Sequence, residues 1–182
     1  MKRIAAMIVF FFMFSMTCAL FAQDKVDNPM YQKWAKFKIG TSVKYKQESD
    51  VAGNKTESDI VYTLAELTPE KVVVEMSGSM AVMGKPVDMP KTKMEYLAKV
   101  DKVAPATAEA AKPKESDEEL SIAGGKYKCH VVETEVKVGE GSVVSKIWSS
   151  DDVPGSMVKT LSNMEKPMKT TTSITLVEVK QP

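Results

Sequence analysis

The sequence predicts a mainly β protein with a single domain, in which a curled antiparallel sheet forms a half-barrel or open barrel beside one short N-terminal helix. Three observations predict this class. Apolar and polar residues alternate with a period of two along most of the chain. Glycine, proline and asparagine separate these runs at short intervals. Helical spacing of apolar residues is limited to a short segment after residue 28.

The first 22 residues are typical of a signal peptide for export. Two basic residues precede an apolar run from Ile4 to Met16, and the small residues Ala19 and Ala22 follow near the cleavage site. Cleavage after Ala22 leaves residues 23–182 as one β domain with no stable transmembrane span, because the run is short for a bilayer. Cleavage after Ala19, an uncleaved anchor and a lipid anchor at Cys18 are the alternatives. We expect a periplasmic or secreted protein.

The composition argues against several classes of function. The formal net charge is +1, so the chain lacks the basic surface that nucleic acid requires. One histidine and two cysteines in 182 residues are too few for a multi-disulfide scaffold and for most zinc sites. Nucleophile-elbow, phosphate-loop and calcium-loop motifs do not occur in the sequence. We therefore expect no catalytic residues, no metal ligands and no cofactor, and a protein that is not an enzyme.

The segment 29–38 is predicted to be the helix. Met30 and Trp34 recur at helical spacing, Asn28 can cap the first turn, and Pro29 suits the first helical position. Its apolar stripe is expected to close one end of the sheet.

From residue 41 the alternation predicts eight to ten strands, with an interruption at 101–118. That segment has many alanine and charged residues and only one large aliphatic residue, so we expect a flexible loop. In the strand 126–138 the apolar positions change parity, which predicts a bulge near Val131 and Val132.

Cys129 and His130 adjoin within that strand, so their side chains are expected on opposite faces. A Cys–His catalytic pair is then excluded, since its side chains must meet. Cys129 is interpreted as a buried, inert residue; a disulfide between two chains and a reactive thiol are the alternatives. His130 is expected to be exposed beside a residue of a neighbouring strand.

Methionine is the unusual residue of the exported part, and five methionines lie between positions 76 and 94. Thioether side chains adapt to irregular apolar ligands, and they also bind Cu(I). If the sheet is curled, its concave face can hold an acyl chain. The residues predicted to line such a site are Met76, Met80, Met94, Tyr96 and Trp148.

Three segments carry a resemblance to known proteins: WAKFKIGTSVKY at 34–45, GKYKC at 125–129 and KIWSSDDVPG at 146–155. Together they resemble a group of small exported bacterial proteins of unknown function. More remotely, the predicted architecture is similar to the periplasmic lipoprotein carriers, whose curled antiparallel sheet holds lipid acyl chains. Neither resemblance implies particular site residues.

Three hypotheses of function follow. The first is a non-enzymatic envelope protein that binds an apolar or lipid-like ligand in the concave face. The second is a structural or interaction module, which meets an envelope protein partner through its sheet edges or through the loop 153–155. The third is a methionine-based copper binder. Nucleic acid is not an expected partner.

Overall fold

The computed structural model describes residues 25–82, 85–102, 112–139 and 141–182, so the predicted signal peptide lies outside the described residues. Within these ranges the chain forms one helix and eleven strands. In chain order they are β1 Lys25–Asp27, α1 Pro29–Ala35, β2 Ser42–Val51, β3 Asn54–Leu67, β4 Lys71–Val82, β5 Lys85–Leu97, β6 Lys99–Asp101, β7 Lys114–Ile122, β8 Gly125–Val138, β9 Gly141–Ser149, β10 Met157–Met164 and β11 Thr170–Lys180. The predicted fold class is confirmed.

Nine strands form one antiparallel sheet in the order β5-β4-β3-β2-β11-β10-β9-β8-β7. Strands β2 to β5 follow one another as hairpins, and so do β7 to β11. The two groups meet where β2 pairs with β11, from Val51 opposite Thr170 to Ser42 opposite Lys180. The sheet is open, with β5 and β7 at its edges, and β1 pairs separately with β6.

The predicted loop 101–118 is shorter than expected at both ends. Its first residue, Asp101, belongs to β6, and β7 begins at Lys114, while residues 103–111 lie outside the described residues. The start of β7 is charged and exposed, so it carries no apolar alternation. Strand β7 forms instead through continuous backbone pairing with β8.

The predicted bulge near Val131 and Val132 is wrong. Strand β8 pairs without a register shift with β9 over this stretch, and also with β7. Val131 is buried, whereas Val136 and Val138 are exposed on the other parity. Valine suits an exposed strand as well as a buried one, because its branched side chain fits the pleated backbone. Register shifts occur elsewhere, as between Leu64 and Glu66.

One apolar core holds the sheet and the helix together. It contains Trp34 of the helix, Val43 and Tyr45 of β2, and Leu64 of β3, and it continues through the opposite half of the sheet to Cys129, Val131, Trp148, Val158 and Leu176. The helix joins this core through Trp34, its one buried residue.

Candidate functional site

An apolar cleft of about 330 Å³ lies between the helix, the loop 150–156 and the strands of both halves of the sheet. Aromatic and aliphatic side chains form most of its wall. The lining residues are Met30, Lys33, Trp34, Val43, Tyr45, Tyr62, Val74, Met94, Tyr96, Ile147, Ser149, Pro154, Gly155, Ser156, Met157 and Thr160.

The strand register explains how the sequence builds this wall. Val43 lies opposite Tyr62 in the β2–β3 pair, and Val74 lies opposite Met94 in the β4–β5 pair. Residues that face each other in an antiparallel pair point to the same side of the sheet. The apolar alternation of each strand therefore adds to one continuous surface.

Two tyrosines add neutral polar groups to the cleft wall. Tyr45 is buried, and its hydroxyl donates a hydrogen bond of 2.8 Å to the carbonyl oxygen of Met157. Its ring meets that of Tyr62 edge-on, with centroids 5.9 Å apart. Burial, with the neighbouring tyrosines, raises the pKa of Tyr45 well above its ordinary value, and burial with Tyr96 raises that of Tyr62. Both phenols therefore stay protonated and neutral at physiological pH.

The helix is fixed over the cleft at several points. The Asn28 side chain accepts a hydrogen bond of 3.0 Å from the Met30 amide, and the Tyr31 hydroxyl donates one of 2.8 Å to the Thr68 carbonyl. The first contact caps the helix, and the second ties the helix to the β3–β4 turn.

The loop 150–156 packs against the other side of Trp34. Gly155 has φ +75°, and a Cβ atom placed on it would lie 3.3 Å from the indole ring. Its amide donates a hydrogen bond of 3.3 Å to the Lys33 carbonyl. Val153 and Pro154 are fully buried. These two residues of the segment 153–155 pack inward, and the use of this segment to meet a partner stays a prediction.

Of the five predicted lining residues, Met94 and Tyr96 line the cleft. Met76 is half-buried on β4, opposite Tyr62 and Thr92, and is not part of the wall. Met80 is 45% exposed toward the far end of β4. A role of any of these residues in ligand binding stays a prediction.

Trp148 also lies outside the wall. Its neighbour Ile147 lines the cleft instead. The indole is buried, and its N–H donates a hydrogen bond of 2.7 Å to Glu118 on β7. Lys146 binds the same carboxylate at 2.8 Å and lies 4.7 Å from the indole centroid. These contacts with Lys146 and Trp148 lower the pKa of Glu118. Trp148 is thus part of a structural network that joins β7 to β9.

Cys129 and His130 occupy the environments expected from the alternation. Cys129 is buried, and its Sγ lies 3.6 Å from the Tyr127 carbonyl oxygen. Burial, together with the charge of Glu118, raises the pKa of the thiol, which makes it a poor nucleophile at neutral pH. The His130 ring is about half exposed, with Nδ1 3.4 Å from Asp117 across the β7–β8 pair. The buried position of Cys129 and the exposure of His130 are confirmed.

A second, polar cleft of about 400 Å³ adjoins the apolar one. It is lined by Lys33, Lys128, His130, Ser149, Ser150, Asp151, Asp152 and Ser156, and three of these residues, Lys33, Ser149 and Ser156, also line the apolar cleft. Sequence reasoning missed the lining residues of the apolar cleft other than Met94 and Tyr96, including Lys33 and Ile147, since no local pattern marks a residue that faces a cleft formed by distant strands. The alternation around Trp148 was the only usable signal for Ile147.

The described residues lack two further features. They contain no group of three or more histidine, cysteine, aspartate or glutamate side chains arranged to hold a metal ion. Among them, no helix has the length and apolar character needed to cross a bilayer.

Comparison with known proteins identifies the fold. No family model matches the chain, and no curated protein matches it. Among solved structures, it is similar to a protein from Bacteroides fragilis described as exported and as having a YmcC-like fold, with TM-score 0.50 and 12% identity over 80% of this chain and 97% of that one. A second, from Parabacteroides distasonis and described as a lipoprotein, has TM-score 0.48 and 13% identity over 81% of this chain and 98% of that one.

The likeness to the Bacteroides protein concerns the fold alone, because the identity is low. Neither structure is described as a lipoprotein carrier, so the remote resemblance to that fold stays a prediction.

Proposed function

We propose that the protein is an exported, non-enzymatic envelope protein that binds an apolar, lipid-like ligand in the cleft between the helix and the sheet. The observation that carries the proposal is the apolar cleft itself, in which Trp34, Met94 and Ile147 face a shared space of about 330 Å³. This volume is at the lower end of small-molecule sites, roughly 300–1,000 Å³. A single acyl chain suits it better than a lipid with two chains.

Export is supported by two independent observations. The segment 1–22 has the basic, apolar and small-residue regions of a signal peptide. The two similar solved structures are described as an exported protein and a lipoprotein. A periplasmic or secreted protein that holds one acyl chain is consistent with both.

The walls of the apolar cleft are already fixed in shape, which favours a ligand site over a cleft that is only a gap in the core packing. The Tyr45 hydroxyl and the helix N-terminus are fixed by hydrogen bonds, so the wall does not have to be ordered by the ligand. Binding to a preformed cleft avoids much of the entropy cost of ordering side chains. Ile147 remains 43% exposed at the wall, which leaves an apolar surface open to a ligand.

The test is a pair of matched substitutions. Ile147→Asp puts a carboxylate on the cleft wall, whereas Val177→Asp puts one at an equally exposed position, 44%, outside it. Monolauroylglycerol, titrated as a monomer by calorimetry, should bind the wild type and Val177→Asp alike. It should bind Ile147→Asp at least about tenfold more weakly, a loss of about 1.4 kcal/mol.

A second substitution covers the case in which Ile147→Asp folds poorly. Met94→Trp fills part of the cleft with an indole and should also weaken binding, while urea unfolding checks that the fold is kept. Wild-type protein that does not bind monolauroylglycerol, or equal affinity in Ile147→Asp and Val177→Asp, would refute the proposal.

Native mass spectrometry of the protein purified from its own envelope gives an independent readout. An added mass that is lost on denaturation and is resolved as a lipid supports the proposed site. A bare mass together with no binding of monolauroylglycerol would favour the interaction module instead.

The interaction module is favoured by one observation, the open sheet. Edge strand β5 contains Pro86 and Pro90, which lack the amide needed for pairing, whereas edge strand β7 contains no proline. A partner strand would therefore add to β7. A pull-down with this protein as bait that captures an envelope protein would support this function, provided that the capture is lost when Ser116→Pro interrupts the edge of β7.

A further inference from the structure

We infer that the ligand is a single-chain amphiphile with a phosphate-bearing headgroup, whose chain occupies the apolar cleft and whose phosphate lies in the adjoining polar cleft. This inference rests on the proposed function. It starts from the position of Lys33, Ser149 and Ser156, which line both clefts. The two spaces are therefore neighbours, one apolar and one polar, as an amphiphile requires.

The charges in the polar cleft favour an anion. Lys33 and Lys128 line it, and neither amine forms an ion pair with a carboxylate of the described residues. Asp151 is held by Lys36 at 3.2 Å. The amines of Lys33 and Lys128 are therefore available to hydrogen-bond an anion, beside one unpaired carboxylate, that of Asp152.

Two further acidic groups lie beside His130, outside the lining of the polar cleft. Glu115 and Asp117 lie 3.7 Å and 3.4 Å from the two ring nitrogens of His130, and neither lines the polar cleft. They do not place a carboxylate where the phosphate would lie.

Lys33 has a side chain suited to the boundary between the two clefts. It lies in the last turn of the helix, next to Trp34, and is partly buried. A lysine can pack its methylene groups along an apolar surface and keep its amine in a polar space. The acyl chain would contact the methylene groups of Lys33, and the phosphate would accept hydrogen bonds from its amine.

The polar cleft is held in shape by its own loop. The Ser150 amide donates a hydrogen bond of 2.8 Å to the Ser156 carbonyl, and the Ser156 amide donates one of 2.7 Å to the Val153 carbonyl. The Asp152 amide lies 3.4 Å from the Ser150 hydroxyl. A volume of about 400 Å³ leaves space for a phosphate, which is larger than a carboxylate.

The test compares two ligands that differ only in the phosphate, monolauroylglycerol and lauroyl glycerol phosphate, each titrated as a monomer. The wild type should bind the phosphate-bearing ligand about tenfold more tightly, because charge-assisted hydrogen bonds to two lysines are added. The double variant Lys33→Gln and Lys128→Gln should bind both ligands equally. Lys38→Gln, the same change at an exposed lysine outside both clefts, should keep the preference.

The outcomes separate this inference from the proposed function. If wild type binds both ligands with equal affinity, or the double variant keeps the preference, the inference is overturned and the apolar site stands. If neither ligand binds the wild type, the proposed function fails as well. A preference that decreases as salt is raised supports the role of the two lysines.

Discussion

Replacing Gly155 with alanine should destabilise the protein by more than the backbone conformation alone explains. Gly155 has φ +75°, and its added Cβ atom would lie 3.3 Å from three atoms of the Trp34 indole. Gly124 has nearly the same φ, +72°, with no atom within 4 Å of an added Cβ. The pair therefore separates the cost of the left-handed backbone from the cost of the contact with Trp34.

The expected magnitudes follow from these two costs. An L-residue in the left-handed region costs about 1–2 kcal/mol, and this applies to both variants. In Gly155→Ala the indole must also move by a few tenths of an ångström. Trp34 is only 4% exposed, so it has little free space, and forcing a side chain off its rotamer costs about 0.5–1.5 kcal/mol. We expect a loss of about 1–2 kcal/mol for Gly124→Ala and about 2–3 kcal/mol for Gly155→Ala.

Urea unfolding followed by far-ultraviolet circular dichroism measures both free energies, and unchanged m-values show that the unfolding transition is comparable. Gly155→Ala should also weaken the binding of monolauroylglycerol, because Trp34 is part of the cleft wall. Equal losses of stability in the two variants would refute the reasoning, since the contact with Trp34 would then contribute nothing.

Three further predictions concern single residues. Tyr45→Phe should lower the free energy of unfolding by about 1–2 kcal/mol in urea titrations, because the Met157 carbonyl loses its hydroxyl donor in a buried site; an unchanged value would contradict this. Ala52→Asn should raise the free energy of unfolding by about 0.5–1 kcal/mol. Ala52 has φ 51° before a glycine in the β2–β3 turn, and asparagine tolerates this left-handed backbone conformation better than alanine. Glu118→Gln should destabilise the protein at pH 7, where the carboxylate is charged. Contacts with Lys146 and Trp148 lower the pKa of Glu118, so its contribution to stability is present above the ordinary carboxylate pKa and is lost as the pH falls through the lowered value. The free energies of unfolding of the wild type and the variant should therefore converge in acid. A difference between them that persists at low pH would contradict this explanation.

The alternation of residues was enough to predict the fold class and much of the strand pattern. Val43 and Tyr45 alternate with lysines because one side of β2 contacts the core and the other contacts solvent. The start of β7 carries no such pattern, since an edge strand can be ordered by backbone hydrogen bonds to one neighbour while its side chains stay exposed.

The candidate site was only partly predictable for a related reason. Alternation shows that Ile147 and Trp148 face opposite sides of β9, but it does not show which side faces the cleft. That choice depends on Glu118, thirty positions earlier in the chain, whose carboxylate accepts the indole N–H. A buried indole needs such an acceptor, and only the folded sheet brings the two residues together. Met94 and Tyr96 line the cleft because they lie on the partly buried face of their strand, and their role in ligand binding stays a prediction.

The position of β11 limits when the two halves of the sheet can join during folding. This strand comes last among the eleven in the chain, yet it lies in the middle of the sheet, between β2 and β10. A chain that emerges N-terminus first can form the hairpins of β2 to β5 early, because their contacts are local. It cannot join the two halves until Thr170–Lys180 has emerged. Until β11 pairs, β2 has a free edge, and the apolar cleft cannot be complete because its wall needs strands from both halves of the sheet.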